Sequence, residues 1–214
     1  MSSRLGILGG MFDPVHNGHV AAARYAVETL GLDQLKMVPC HIPNHREHLQ
    51  LSAEHRLAML DLALSRETDI SVDDCEIRRG GVSYAVDTVA ELRTAGDWEH
   101  VVFVMGVDAL NGLPRWHNWQ ELLRLCHLLV LSRQDQAVAA IVADQISLEQ
   151  RQVSKPEELF AKPAGQILIS EDFNVELSST QVRELLAKGG EVAPFIDEDV
   201  HDYIRRNTLY TDTL

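Results

Sequence analysis

Two histidines three residues apart, His16 and His19, lie in the stretch Gly9-Gly10-Met11-Phe12-Asp13-Pro14-Val15-His16-Asn17-Gly18-His19, between the apolar run Leu5-Gly6-Ile7-Leu8 and Val20-Ala21-Ala22-Ala23. Such a pair can bind a metal, hold a phosphate or cap a helix. The zinc reading is the weakest, because zinc helices usually place two histidines at i and i+4 near a third ligand, and H-E-x-x-H does not occur here. The phosphate reading rests on position. If a helix begins at Asn17 or Gly18, His19 lies in its first turn, where unpaired N–H groups and the positive dipole end attract anions. His16 can point to the same place, imidazoles donate to phosphate oxygens, and Gly9 and Gly10 let a ligand approach the backbone.

A second stretch has the same character. Ser178, Ser179 and Thr180 put hydroxyls and free N–H groups at a helix start, and Arg183 one turn on can reach the same anion with its forked guanidinium. The plainer reading is a capping box, Ser178-x-x-Gln181, with Arg183 in solvent. Taken singly, each stretch is better explained as a capped helix. Two anion-binding helix starts, both downstream of buried strands, are harder to dismiss together.

The elements that must position these groups alternate along the chain. Leu5–Leu8 reads as a buried strand, and a helix capped by Asn17 carries Val20, Ala23, Val27 and Leu30 on one face until Gly31 ends it. Leu35–Pro39 is the next strand, followed by a loop rich in His and Pro to Leu51. Ser52 starts a helix with Leu57, Leu60 and Leu64 inward. Asp69–Val72 and Glu76-Ile77 read as two short extended pieces, and Ser83 opens a third helix with Val86, Val89 and Leu92 on one face. Val101–Gly106 is the most strand-like run, apolar and β-branched, as expected for a strand buried on both faces. Leu128–Leu131 and Ile167–Ile169 repeat the signal, and helices follow at about Ser179–Lys188 and Asp197–Asn207.

This alternation predicts a doubly wound, mainly parallel α/β sheet with helices on both faces, in which ligands sit at the carboxyl ends of the strands. Both Gly9–His19 and Gly106–Trp119 would lie there. The chain reads as a single domain over residues 1–214, with a surface insertion at about 134–163, where the sequence is polar and weakly periodic.

Composition narrows the partners. With 19 Lys and Arg against 32 Asp and Glu, the formal net charge is -13, which argues against a protein that coats nucleic acid. Any anionic ligand must be held by a local positive site. The three cysteines, Cys40, Cys75 and Cys126, are far apart and lack C-x-x-C spacing, so they read as reduced intracellular thiols. There is no signal-peptide pattern and no run near the roughly 18 apolar residues that span a bilayer, so the expectation is a cytoplasmic protein without a membrane partner.

The string GGMFDPVHNGH, with strand before and helix after, resembles the H-x-G-H signature of the nucleotidyltransferase α/β superfamily. Leu177–Arg183 is similar to its second signature, I-S-S-T-x-x-R. Within the superfamily, Gly106-Val107-Asp108 through Trp116-His117-Asn118-Trp119 resembles the G-x-D…W-x-x-W segment of nicotinate mononucleotide adenylyltransferases. Ser83-Tyr84-Ala85-Val86-Asp87-Thr88-Val89 resembles their S-Y-T-x-D-T-L, and Pro43-Asn44-His45-Arg46 their P-P-H-K or P-P-H-R. Two positions depart from the pattern: Ala85 replaces a hydroxyl residue and Asn44 a proline.

The resemblance implies a Rossmann-like enzyme that transfers the adenylyl group of ATP to nicotinate mononucleotide, giving nicotinate adenine dinucleotide and pyrophosphate, without a covalent intermediate. It implies catalytic roles for His16, His19 and Arg183, with Ser178, Ser179, Thr180, His45 and Arg46 on the triphosphate. Gly106 and Asp108 would contact the adenosine, and Gly9, Gly10 and Phe12 would line the cleft by backbone. Tyr84, Ala85, Trp116 and His117 would form the pyridine carboxylate pocket, with Trp116 stacked on the ring and Trp119 left to packing. Mg²⁺ would come bound through the ATP phosphates, with no metal site of the protein's own, and homo-oligomer formation is left open. The rivals are another acceptor, nicotinamide mononucleotide or phosphopantetheine, and a nucleotide sensor without turnover.

Overall fold

The run expected to be the most strand-like in the chain is the middle strand of the sheet. A computed structural model describes residues 3–43, 50–132, 137–173, 175 and 177–211. In chain order the elements are β1 (Arg4–Gly10), α1 (Asn17–Leu30), β2 (Gln34–Pro39), β3 (Ile42–Pro43), α2 (Ala53–Ala63), β4 (Ile70–Val72) and α3 (Cys75–Arg79). Then come β5 (Val82–Ser83), α4 (Ala85–Ala95), β6 (His100–Gly106), α5 (Val107–Gly112), a 3₁₀ turn at Leu113–Arg115, α6 (Trp119–Leu125) and β7 (His127–Leu131). The rest are α7 (Ala140–Gln145), α8 (Leu148–Arg151), β8 (Gln152–Val153), α9 (Pro156–Leu159), β9 (Ile167–Ser170), α10 (Ser179–Ala187) and α11 (Glu198–Arg206).

Among the described residues, seven strands form one sheet in the order β4-β2-β1-β6-β7-β9-β8, and every pairing in it is parallel. β3 and β5 form a separate two-stranded ribbon. Side chains alternate across a strand, and β6 shows it: Val102 and Val104 join one core with Leu30, Met59, Leu60, Val182 and Ile204. Val101, Phe103 and Met105 join the other with Val86, Val89, Leu92, Leu110 and Leu122. The sheet is therefore covered by helices on both faces.

Local chemistry sets the ends. Gly31 adopts φ 57 at the C-cap of α1 and donates to Val27 O, a left-handed conformation that costs glycine nothing. Asp197 accepts from Asp199 N–H at the start of α11, whose last turn carries Arg205 and Arg206, as the dipole favours.

The structure differs from the sequence reading at five places. The N-cap of α1 is His16, one residue before Asn17, and that of α4 is Tyr84, because Ser83 is engaged in β5. Glu76-Ile77 is not extended but lies in α3, closed by basic Arg78 and Arg79 and by Gly80 at φ 70. On α2, Met59, Leu60 and Leu64 are buried beside Arg56, while Leu57 is only half-buried. Within the stretch expected as a surface insertion at about 134–163, the described part from residue 137 on is tied to the sheet and the core. It supplies edge strand β8, paired to β9, and buries Val142, Ile146, Leu148 and Leu159.

Candidate active site

β1 and β6 are hydrogen-bonded neighbours, with Ile7 opposite Phe103 and Leu8 opposite Val104. From β1 the chain winds to β2 on one side, and from β6 to β7 on the other. Such a reversal opens a crevice at the carboxyl ends of the two strands, and the glycine turns Gly9-Gly10 and Gly106 end there. The crevice is a cleft of about 650 Å³. Gly9, Gly10, Phe12, His16, His19, Tyr84, Ala85, Gly106, Asp108, Trp116, His117, Ser178, Ser179, Thr180 and Arg183 all line it. His45 and Arg46 fall at 44–49, outside the described residues.

The two helix starts are joined to each other. Ser179 Oγ donates to Pro14 O at 2.9 Å, and Arg183 Nη1 donates to Asp13 O at 2.6 Å while its Nη2 reaches Thr180 Oγ1 at 3.1 Å. Arg183 is thus not loose in solvent. The capping box of the plainer reading is also present, with Ser178 N–H donating to Gln181 Oε1 at 2.8 Å.

At the first helix start the His16 and His19 rings stack with centroids 3.6 Å apart, and Phe12 meets His19 edge-on at 5.0 Å. The His16 backbone N–H donates to His19 Nδ1 at 3.2 Å, so that nitrogen carries no proton and the neutral ring bears its proton on Nε2. Burial first, and the facing His16 second, hold His19 well below the ordinary imidazole pKa. Gly18 makes this stack possible: a Cβ there would sit 3.0 Å from His16 Nδ1 and 3.2 Å from Val175 Cγ1.

Opposite lies the wall expected to take a pyridine ring. Tyr84 and His117 pack with centroids 4.4 Å apart, and Trp116 meets Phe103 edge-on at 6.1 Å. Trp119 packs against the core and does not line the cleft. Cys40 does line it, but burial pushes its thiol up to about 11, which leaves it a poor nucleophile at neutral pH.

Three buried polar residues went unassigned in the sequence reading. Arg56, 0% exposed, donates to Met11 O at 2.9 Å, Cys40 O at 2.6 Å and His41 O at 3.3 Å, tying together the chain beyond β1 and β2. Its signal was an arginine four residues before Leu60 on an apolar helix face. Asp13, 1% exposed, accepts from Tyr210 OH at 2.5 Å and from Gln50 N–H at 2.8 Å. Burial and the Asp13 carboxylate push the Tyr210 phenol pKa far up, so it stays a donor. The third, Glu76, lines the cleft beside Ser83 and Tyr84. Among the described residues no three His, Cys, Asp or Glu side chains converge as a metal site, and no helix is long and apolar enough to cross a membrane.

Two hydroxyl- and imidazole-bearing helix starts, tied across one crevice of a parallel sheet, suit the transfer of a group between anions and define a nucleotidyltransferase of the Rossmann-like α/β class. A cytidylyltransferase-like family model matches residues 7–185. A nicotinate-nucleotide adenylyltransferase of Pseudomonas fluorescens is 41% identical over 212 residues, 98% of each chain, and one of Methylococcus capsulatus is 37% identical over 96% of this chain and 99% of its own. The chain belongs to the cytidylyltransferase-like family and, within it, to the nicotinate-nucleotide adenylyltransferases. The fold is shared with the Plasmodium falciparum nicotinic acid mononucleotide adenylyltransferase complexed with NaAD, at a TM-score of 0.74 and 15% identity over 97% of both chains.

Proposed function

We propose that this chain transfers the adenylyl group of ATP to nicotinate mononucleotide, releasing pyrophosphate and forming nicotinate adenine dinucleotide for NAD biosynthesis. The observation that carries the proposal is the joining of α1 and α10 at one cleft through Ser179, Arg183 and the carbonyls of Pro14 and Asp13. Full-length similarity to relatives bearing that name supports it.

The acceptor phosphate is already ionised at neutral pH, so it can attack the α-phosphorus in line without a general base. The protein then has to align two anions and disperse the charge that grows between them. His19, its proton on Nε2, is the donor assigned to that charge, with His16 stacked behind it. Arg183, Ser178, Ser179 and Thr180 hold the outgoing β and γ phosphates, and His45 and Arg46 are assigned to the same triphosphate. Gly9, Gly10 and Phe12 line the nucleotide path, while Gly106 and Asp108 meet the adenosine. Tyr84, Ala85, Trp116 and His117 take the pyridine ring and its carboxylate.

The donors around both helix starts are hydroxyls, imidazoles and a guanidinium, which suit phosphate oxygens and leave Mg²⁺ to be carried by those oxygens. Mg²⁺ held by the substrate phosphates would offset the repulsion between the substrates and a chain of net charge -13. We place the activity in the cytoplasm, where thiols such as the buried Cys40, Cys75 and Cys126 stay reduced.

The test is pyrophosphate release from MgATP with nicotinate mononucleotide, nicotinamide mononucleotide or phosphopantetheine supplied separately. Release with the first, and less with the second, is expected. No release with either pyridine nucleotide overturns the proposal, and release with phosphopantetheine alone reassigns the acceptor.

A further inference from the structure

We infer that Glu76 is a positioning residue that sets the pyridine pocket for an acid over an amide, acting through the hydroxyl of Thr88. The inference rests on the acceptor being a pyridine mononucleotide.

Glu76 lies in α3 and is only 7% exposed, yet it lines the cleft. Thr88 Oγ1 donates to its Oε1 at 2.5 Å, and the nearby Ser83 hydroxyl favours the ionised form of the same carboxyl group. Each hydroxyl also receives a donor of its own. The His41 N–H donates to Ser83 Oγ at 2.9 Å, and Arg79 Nη2 donates to Thr88 Oγ1 at 2.8 Å. A hydroxyl has one proton, and that of Thr88 goes to Glu76 Oε1 at 2.5 Å in preference to the Tyr84 carbonyl at 3.4 Å. A carboxylate offers two accepting oxygens here, whereas a carboxamide offers one and puts an N–H where the other stood. Burial pushes the Glu76 carboxyl up, and the Ser83 and Thr88 bonds pull against that shift.

Ser83 and Thr88 flank the start of α4. The N-cap is Tyr84, and Thr88 is the fourth residue of the helix, its backbone N–H bonded to Tyr84 O at 3.3 Å. Glu76 therefore holds the first turn of an 11-residue helix through Thr88, and that turn presents Tyr84 and Ala85 to the cleft. Ala85 has no hydroxyl, so discrimination at this wall falls to backbone N–H groups. Fixed N–H donors favour a nicotinate carboxylate, which only accepts, over an amide, which must also place its own N–H groups. If the turn loosens, this preference shrinks, whereas the triphosphate grip at α1 and α10 stays.

The test compares the full-length wild type with Glu76→Gln, Thr88→Val and Thr88→Ser, measuring KM and kcat for MgATP and for the acid and amide mononucleotides. Glu76→Gln and Thr88→Val each raise KM for nicotinate mononucleotide about tenfold, as loss of a hydrogen bond to a charged group does. Both narrow the acid-to-amide ratio of kcat/KM and leave KM for ATP unchanged. Thr88→Ser, which keeps the hydroxyl, retains wild-type behaviour. Should Glu76→Gln fail to fold, the Thr88 pair decides. An unchanged ratio in folded Thr88→Val, equal weakening of ATP and acid, or a wild type that prefers the amide overturns the inference alone. A wild type that turns over neither pyridine nucleotide overturns the functional reading and this inference with it.

Discussion

The sheet carries a histidine pair at each end. At the carboxyl ends, His16 and His19 stack at 3.6 Å beside the cleft. At the amino ends, His100 and His127, the first residues of β6 and β7, sit with ring centroids 5.5 Å apart and Nδ1 of His100 3.4 Å from Nε2 of His127. Phe160 packs edge-on against both lower rings, at 5.0 and 5.9 Å, and Arg4 lies 4.0 Å over the Phe160 ring. The electrostatics are alike. Burial is the first cause and the partner imidazole the second for the lowered pKa of His19 and for that of His127, which falls to about 4. A backbone N–H, from His16 or from Gln166, donates to Nδ1 in each. What differs is access: an anion entering the cleft can meet His19, whereas His127 is 0% exposed. The same kind of side chain, its charged form disfavoured by burial at both ends, lines a cleft at one end and packs within the core at the other.

The largest effect that would break this comparison is at the open end. His19→Ala should lower kcat by about 100- to 1000-fold, the loss expected for one donor to developing charge; steady-state kinetics showing a change in KM alone would remove His19 from that role. At the closed end the readout is stability. The folded pKa of His127 lies near 4, below the ordinary value of 6.5, so its contribution is present above about pH 6.5 and is lost as pH falls toward 4. Over that window about 3 kcal/mol is at stake. Denaturation curves at stepped pH should show the fall, and His127→Gln should flatten it without lowering kcat at neutral pH.

Smaller effects sharpen the picture at the open end. Gly18→Ala pushes a methyl group to within 3.0 Å of the His16 ring and should lower kcat about tenfold, since positioning within a fraction of an ångström governs such transfers. Wild-type kinetics in this variant would mean that the stack is dispensable. Trp116→Ala should raise KM for the pyridine nucleotide by about tenfold, the scale of one lost stacking contact. Calorimetry with ATP should show no change, and equal losses for both ligands would reject the stacking assignment.

How legible each region was follows from the range of its contacts. β6 showed in the sequence because an apolar β-branched run needs no distant partner to be recognised. The two helix starts showed because glycines, hydroxyls and histidines stand next to each other in the chain. Asp13 was in view within the same stretch, yet its role was hidden because its partners are Gln50, Arg183 and Tyr210, far along the chain. Glu76 was misread as extended because five residues of α3 are too few to show a helical period. β8 escaped for the same reason, being two residues long and polar at Gln152.

Tyr210 and Asp13 are separated by 197 positions and joined by one hydrogen bond. During synthesis the histidine turn is made well before Tyr210, so its buried carboxylate acquires its hydroxyl partner only once the 197 positions between them have been translated. The histidine turn is thus completed long after it is made, so a chain interrupted before that tyrosine holds both histidines and lacks the contact that braces the loop before them.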